Sequence, residues 1–159
     1  MQRVGLSRRA LFFYGLALSL ACDQLTKLAV RSALNIGESS SAGILRLTYV
    51  QNEGGAFGSF QGMSVLLLGG GLVAILLLLT AGLKTNSRPS QLGWGLVVGG
   101  GMGNALDRLL FGRVTDFIDL RVDGFGWPVF NLADVFIVGG ILILIFSYLR
   151  GVYGQTDHI

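Results

Sequence analysis

Four runs of apolar residues, at about 10–30, 64–83, 91–111 and 131–149, each approach the roughly 20 residues that an α-helix needs to cross the hydrocarbon core of a membrane. The second carries no charge from Val65 to Leu83, and the other three hold their ionisable residues toward one end. Asp23, Gln24 and Lys27 sit near the C-terminal end of the first run, and Asn104, Asp107 and Arg108 near that of the third. Asn131 and Asp134 open the fourth. Helices of alternating direction bring all these ends to the same face. The expected architecture is membrane all-α: four transmembrane helices with a small extracytoplasmic β element and an interfacial loop or helix. Residues 1–159 would form a single integral membrane domain.

Only 13% of the 159 residues are charged and 52% are apolar, against roughly 25% charged in soluble domains. The net charge of +3 does not indicate nucleic acid as a partner, because the basic residues punctuate apolar runs instead of clustering on an exposed face. One cysteine, Cys22, excludes an intramolecular disulfide, and one histidine, His158, has no companion ligands for zinc. Glycine, at 25 residues, is about twice its usual share of roughly 7% and falls inside the apolar runs, where small residues let helices approach closely.

Arg3, Arg8 and Arg9 precede the first run, Lys84 and Arg88 lie between the second and third, and Arg150 follows the fourth. The other side holds as many basic residues if Lys27 and Arg108 are counted with it. The compact N-terminal cluster therefore sets the orientation, placing both termini in the cytoplasm and the polar helix ends outside. The same N-terminal stretch, ending Leu20-Ala21-Cys22, has the outline of a cleavable signal peptide. Against that stand Asp23, Gln24 and Lys27, which continue a helical face, and Ser19, which occupies the place of the usual leucine in a lipoprotein cleavage box.

Two extracytoplasmic connections remain, at about 31–63 and 112–130. Ile44 to Gln51 alternates apolar, aromatic and β-branched residues and predicts a strand, followed by Gly54, Gly55, Gly58 and Gly62. In the second, Phe111, Phe117, Phe125, Trp127 and Phe130 mix with Arg113, Arg121 and Asp123, as expected of a segment lying at the membrane interface.

Ionisable groups near a membrane are costly, so each needs a partner or a function. Asp23 and Lys27, four apart with the acid first, suit an ion pair. Asn104, Asp107 and Arg108 share a face, and Arg108 can hold a carboxylate in a two-pronged contact. Gly95, Gly99 and Gly103 repeat every four residues, making a groove for another helix or for an extended substrate chain. Asp116, just past the third run, and Asp134, opening the fourth, can face each other. Two nearby carboxylates do not both ionise readily, so a charged one can activate water while a protonated one polarises a carbonyl. The alternative for each is a helix cap or an interfacial salt bridge, the class to which Asp119 and Asp123 are assigned. With a single histidine, neither a zinc protease nor a histidine-based serine or cysteine site can be built, and no serine pairs with Lys27 or Lys84. The rival from another class is a non-catalytic lipid-binding or transport module.

At these residues the chain resembles the lipoprotein signal peptidases, the signal peptidase II family of bacterial aspartyl peptidases. Asp23-Gln24-Leu25-Thr26-Lys27 is similar to the family's first-helix motif, and Asn52-Glu53-Gly54-Gly55-Ala56-Phe57 to its Asn-x-Gly-Ala-Ala-Phe block. Gly99 through Arg108, ending Gly103-Asn104-Ala105-Leu106-Asp107-Arg108, leads into Gly112-Arg113-Val114-Thr115-Asp116-Phe117, and Phe130-Asn131-Leu132-Ala133-Asp134 completes the set. Gly55 and Val135 depart from the pattern, where alanine and serine are common.

The resemblance implies that Asp116 and Asp134 are the catalytic pair, with Asn52, Gly54, Asn104, Arg108 and Asn131 lining or orienting the site and Asp23 and Lys27 supporting it. It implies a diacylglyceryl-modified prolipoprotein as substrate, cut just before the lipidated cysteine, at the extracytoplasmic face of the bacterial inner membrane. Membrane lipids are then the surroundings. No metal, organic cofactor, nucleic acid or obligate protein partner is called for. The aromatic loop around Phe125 and Trp127 is expected to close over the substrate.

Overall fold

The computed structural model describes residues 8–54, 63–122 and 125–153. Arg3, the glycines Gly55, Gly58 and Gly62, the motif residues Ala56 and Phe57, Asp123 and His158 lie outside them. Each apolar run is helical: α1 is Arg8–Ala33, α2 Ser64–Lys84, α3 Arg88–Phe111 and α4 Leu132–Tyr153. Helices α2 and α4 are long and apolar enough to cross a membrane, with mean hydropathies of 2.5 and 2.4. Their large side chains point outward, with Val65 85% and Phe146 66% exposed, which in water would be an aggregation surface and in lipid is solvation. Helices α1 and α3 instead carry charge into the interior: Asp23, Lys27 and Asp107 are all fully buried.

Helix α3 lies between α1 and α4, and its glycines set how close they come. A side chain at Gly95 would stand 2.2 Å from the Phe12 carbonyl oxygen, one at Gly99 2.1 Å from Ser19 Oγ, and one at Gly103 2.3 Å from Asp23 Oδ2. Of the two occupants that face admits by its spacing, another helix or an extended chain, it takes the helix: α1 fills it. Small-residue packing is the cause, because without a β-carbon the two backbones reach contact. Ser19 fits there because its hydroxyl turns back onto the Gly15 and Leu16 carbonyls of its own helix. On the opposite face Gly93 meets Gly140, and Gly100 meets the Ala133 carbonyl of α4.

Strands β1, Ser39–Ala42, β2, Leu45–Asn52, β3, Val114–Val122, and β4, Phe125–Gly126, form an antiparallel sheet in the order β1-β2-β3-β4. The strand expected at 44–51 is β2. The second connection, expected as an interfacial loop or helix, is instead strand for most of its length. Its β-branched and apolar residues are drawn into pairing by β2, which gives their backbone groups hydrogen-bond partners that a loop near lipid would lack. Buried Tyr49 and Phe117 pack with Val30 of α1, seating the sheet on the end of the helical bundle. Pairing of β2 with β3 runs from Leu45 opposite Leu120 to Asn52 opposite Val114, with one register shift between Leu47 and Val50.

Candidate active site

Asp116 lies in β3 where the sheet meets the bundle, 3% exposed. Its Oδ2 accepts from Asn52 Nδ2 at 2.9 Å and its Oδ1 from Asn131 Nδ2 at 2.7 Å. The register shift matters here. Residues directly opposite in an antiparallel pair share a face, so pairing Asn52 with Val114 puts Asn52 on the face of Asp116; one residue of slip would put Gln51 there instead. Asn52 is itself held by a local turn, its Oδ1 accepting from the Gly54 backbone N–H at 2.9 Å.

Asp134 occupies the third position of α4. Asn131 is the cap of that helix: its Oδ1 accepts from the Asp134 backbone N–H at 3.1 Å, and Asp134 Oδ2 accepts from the Asn131 N–H at 3.2 Å. This is a reciprocal capping box, which satisfies two otherwise orphaned amides. Of the roles open to Asp134, that of helix cap is filled by Oδ2 alone, which leaves Oδ1 turned toward the neighbouring side chains. That Oδ1 accepts from Asn104 Nδ2 at 3.0 Å, and Asn104 Oδ1 accepts in turn from Asn131 Nδ2 at 3.0 Å and from Lys27 Nζ at 2.9 Å. The two carboxylates are thus joined through two asparagines. Phe130, whose backbone bonds to Phe117 and Ile118 of β3, delivers Asn131 to Asp116.

Arg108 differs from expectation. Among the described residues its guanidinium bonds to no carboxylate but donates to two backbone carbonyls, Gly54 at 2.9 Å and Asn104 at 3.4 Å. It therefore ties the end of β2 to α3. Asp107, expected on the same face, turns the other way, because a three-residue step from Asn104 falls short of a full turn and a four-residue step overshoots it. There it meets Lys27 at 3.5 Å, Arg31 at 3.4 Å and the Thr115 backbone N–H at 2.8 Å. Asp23 forms the expected pair with Lys27, at 2.9 Å, and also accepts from the Ala133 backbone N–H of α4 at 2.9 Å. Asp119 pairs with Arg121 at 3.1 Å, in keeping with its structural assignment.

Asp107 was expected on the face of Asn104 and Arg108, and its place beside Lys27 and Arg31 was not foreseen, yet a signal existed. Asp23, Lys27 and Arg31 fall four residues apart on one face of α1, two cations against one anion, so a buried face of that kind demanded a further acid from elsewhere.

Asn52, Asn104, Arg108, Asp116, Asn131 and Asp134 line one cavity of about 690 Å3, which Trp127 borders and which continues down α4 past Val135 and Val138 to Leu142. It is polar at the carboxylates and apolar below. Burial, reinforced by the nearby charge of Asp134, pushes the Asp116 carboxyl up to about 6 against the pull of the Asn52 and Asn131 hydrogen bonds. A carboxyl raised in this way keeps its proton to higher pH than an ordinary aspartate, as a general acid must. Among the described residues no group of three or more His, Cys, Asp or Glu side chains is arranged to hold a metal.

Residues 16–150 match the family model described as signal peptidase (SPase) II. The lipoprotein signal peptidase of Caldicellulosiruptor bescii is 43% identical over 129 residues, covering 80% of this chain and 83% of that one. That of Nostoc punctiforme is 39% identical over 158 residues, covering 96% and 98%. A solved bacterial membrane enzyme, determined by the in meso method at 2.3 Å resolution, superposes with a TM-score of 0.82 at 26% identity over 91% of this chain and 90% of that one. With the family model spanning residues 16–150 and the relatives matching 80% and 96% of its length, the chain belongs to the lipoprotein signal peptidases, the signal peptidase II family of membrane aspartic peptidases.

Proposed function

We propose that this peptidase removes the signal peptide from diacylglyceryl-modified prolipoproteins, cutting just before the lipidated cysteine, with Asp116 and Asp134 as the catalytic pair. The observation that carries the reading is the chain of two asparagine amides joining the carboxylates at the wall of one cavity. Asp116, the carboxyl that burial pushes up, keeps the shared proton, and Asp134 is the base. Asp134 takes a proton from water as the hydroxyl oxygen bonds to the scissile carbonyl carbon, and Asp116 gives its proton to the carbonyl oxygen. When the tetrahedral intermediate collapses, the C–N bond breaks, the nitrogen leaves with the proton from Asp134, and Asp116 recovers its own.

Asn104 and Asn131 hold the carboxylates in register. Asn52 orients Asp116, and Arg108 fixes the Gly54 turn beside it, while Asp23 and Lys27 support the assembly from α1. The apolar part of the cavity runs along α4 from Asp134 to Leu142, eight residues or about 12 Å, and suits the lipid and the apolar signal peptide. Trp127, half exposed at the rim, is placed to close over it.

Lipid should therefore help to position the bond, since each buried methylene contributes about 0.8 kcal/mol toward attachment. A diacylglyceryl-modified precursor is expected to be cleaved efficiently, and the same polypeptide with an unmodified cysteine little or not at all, when both are equally inserted in the same bilayer. Equal rates would leave a membrane aspartic peptidase without the lipoprotein specificity.

The whole chain forms one peptidase domain whose four helices all cross the inner membrane, with both termini in the cytoplasm and the site outside. The support is the N-terminal basic cluster and the gathering of polar helix ends on one side of the bundle. Reporter fusions after Arg88 and after Arg150 are expected to read cytoplasm, and fusions near Gly43 and Gly124 the outside. The reversed pattern would put the cavity in the cytoplasm and end this reading.

A further inference from the structure

Each of the two carboxylates is preceded by a residue whose backbone N–H is clamped by another, fully buried carboxylate. The Thr115 N–H, just before Asp116, donates to Asp107 Oδ2 at 2.8 Å. The Ala133 N–H, just before Asp134, donates to Asp23 Oδ1 at 2.9 Å. Both clamping acids meet the same cation: Lys27 Nζ lies 2.9 Å from Asp23 and 3.5 Å from Asp107. That ammonium also donates to Asn104, the asparagine bonded to Asp134 and to Asn131. Arg31 completes the cluster, donating to Asp107 at 3.4 Å and to the Thr115 hydroxyl at 3.0 Å.

We infer that Asp107 is a positioning residue for the reaction, doing for Asp116 what Asp23 does for Asp134, with Lys27 tying the two clamps into one frame that sets the spacing of the pair. The inference rests on the catalytic reading of Asp116 and Asp134. The physical reason lies in where the two carboxylates come from. Asp116 stands on a strand and Asp134 on a helix, and among the described residues no backbone ladder joins those elements at the site beyond the Phe130 contacts. A strand end and a helix end held only by their own side chains would drift, and misplacement on the order of 1 Å costs about 100-fold in rate. Two charge-assisted hydrogen bonds to main-chain amides, anchored to α1 and α3 where glycine contacts fix those helices together, remove that freedom. Asp23, Asp107, Lys27 and Arg31 balance in charge, so the frame can be buried without an unpaired ion.

The test compares Asp107→Ala and Asp107→Asn with wild type on a lipidated precursor, reading kcat and KM separately on protein shown to be folded by thermal unfolding in detergent. Alanine removes the amide acceptor, so kcat is expected to fall about 10- to 100-fold with KM nearly unchanged. Asparagine keeps a carbonyl oxygen for the Thr115 N–H and should restore most of that loss, which a role in charge balance alone would not produce. Asp119→Asn is the control: Asp119 is as buried as Asp107 and lies on the strand that carries Asp116, but it bonds to Thr48 and Arg121, away from the pair, so its kcat per folded molecule should match wild type. Wild-type kcat in Asp107→Ala would overturn the inference, as would an equal loss in Asp119→Asn or an asparagine variant no better than alanine. Asp116→Asn is run alongside to separate the two levels: turnover surviving in that variant removes the catalytic pair, whereas its loss together with wild-type kcat in Asp107→Ala removes the positioning role alone.

Discussion

Asp116→Asn and Asp134→Asn are each expected to give folded, membrane-inserted protein whose turnover is lower by about 1,000-fold or more, because an amide can neither take a proton from water nor return one to the carbonyl. Asparagine is the informative replacement at both positions. At Asp134 it keeps an acceptor for the Asn131 N–H and so preserves part of the capping box, which alanine would destroy along with the chemistry. At Asp116 it retains an acceptor for one of the two asparagine amides that converge there. The pH profile gives a second reading of the same pair. Because the folded Asp116 titrates at about 6, well above its usual 3.8, it holds the shared proton below that pH and releases it above. The value of kcat/KM, which reports the free enzyme, is therefore expected to fall as pH rises past about 6. The profile belongs to the coupled pair and not to either residue. Near-wild-type turnover in either variant, or a profile flat between pH 4 and 8, would contradict the assignment.

Gly95→Val is expected to be the most damaging substitution far from the carboxylates. A β-carbon there would lie 2.2 Å from the Phe12 carbonyl oxygen and 3.0 Å from the Leu16 nitrogen, both of them backbone atoms that no rotamer change can move. Relief requires α1 and α3 to separate, and α1 carries Asp23 and Lys27 into the frame beneath the site. A loss of more than about 3 kcal/mol, at the upper end of overpacking effects, should appear as a large drop in unfolding temperature in detergent together with loss of activity. Gly70→Ala on α2 is the counterpart. Nothing lies within 4 Å of its new methyl group, and alanine favours helix over glycine by about 0.8–1 kcal/mol, so the protein should be unchanged or slightly more stable. Equal sensitivity at the two positions would show that the close approach at Gly95 does not limit packing.

What could be read from the chain alone was whatever depends on local pattern. Apolar length located the helices, and α-helical spacing paired Asp23 with Lys27, since residues four apart on a helix are neighbours in any fold. Alternation located β2. The ordered motifs pointed to the family and to both aspartates. Other features depended on which elements pack together, and spacing does not encode that. Gly95, Gly99 and Gly103 suit a helix or a substrate equally well, and only the seating of Phe12, Ser19 and Asp23 against them decides for α1. Val114–Val122 has too little alternation to stand as a strand by itself and becomes one because β2 lies beside it. Asn104 and Asp107 are three residues apart and both meet Lys27, yet only Asn104 also reaches Asp134, while Asp107 turns to Arg31 and the Thr115 amide from the neighbouring flank of α3. Asn52 reaches Asp116 through a one-residue register shift, and Asp107 reaches the Thr115 amide through a helix–strand contact. Both are long-range hydrogen bonds, and their geometry exists only once the sheet has docked on the bundle.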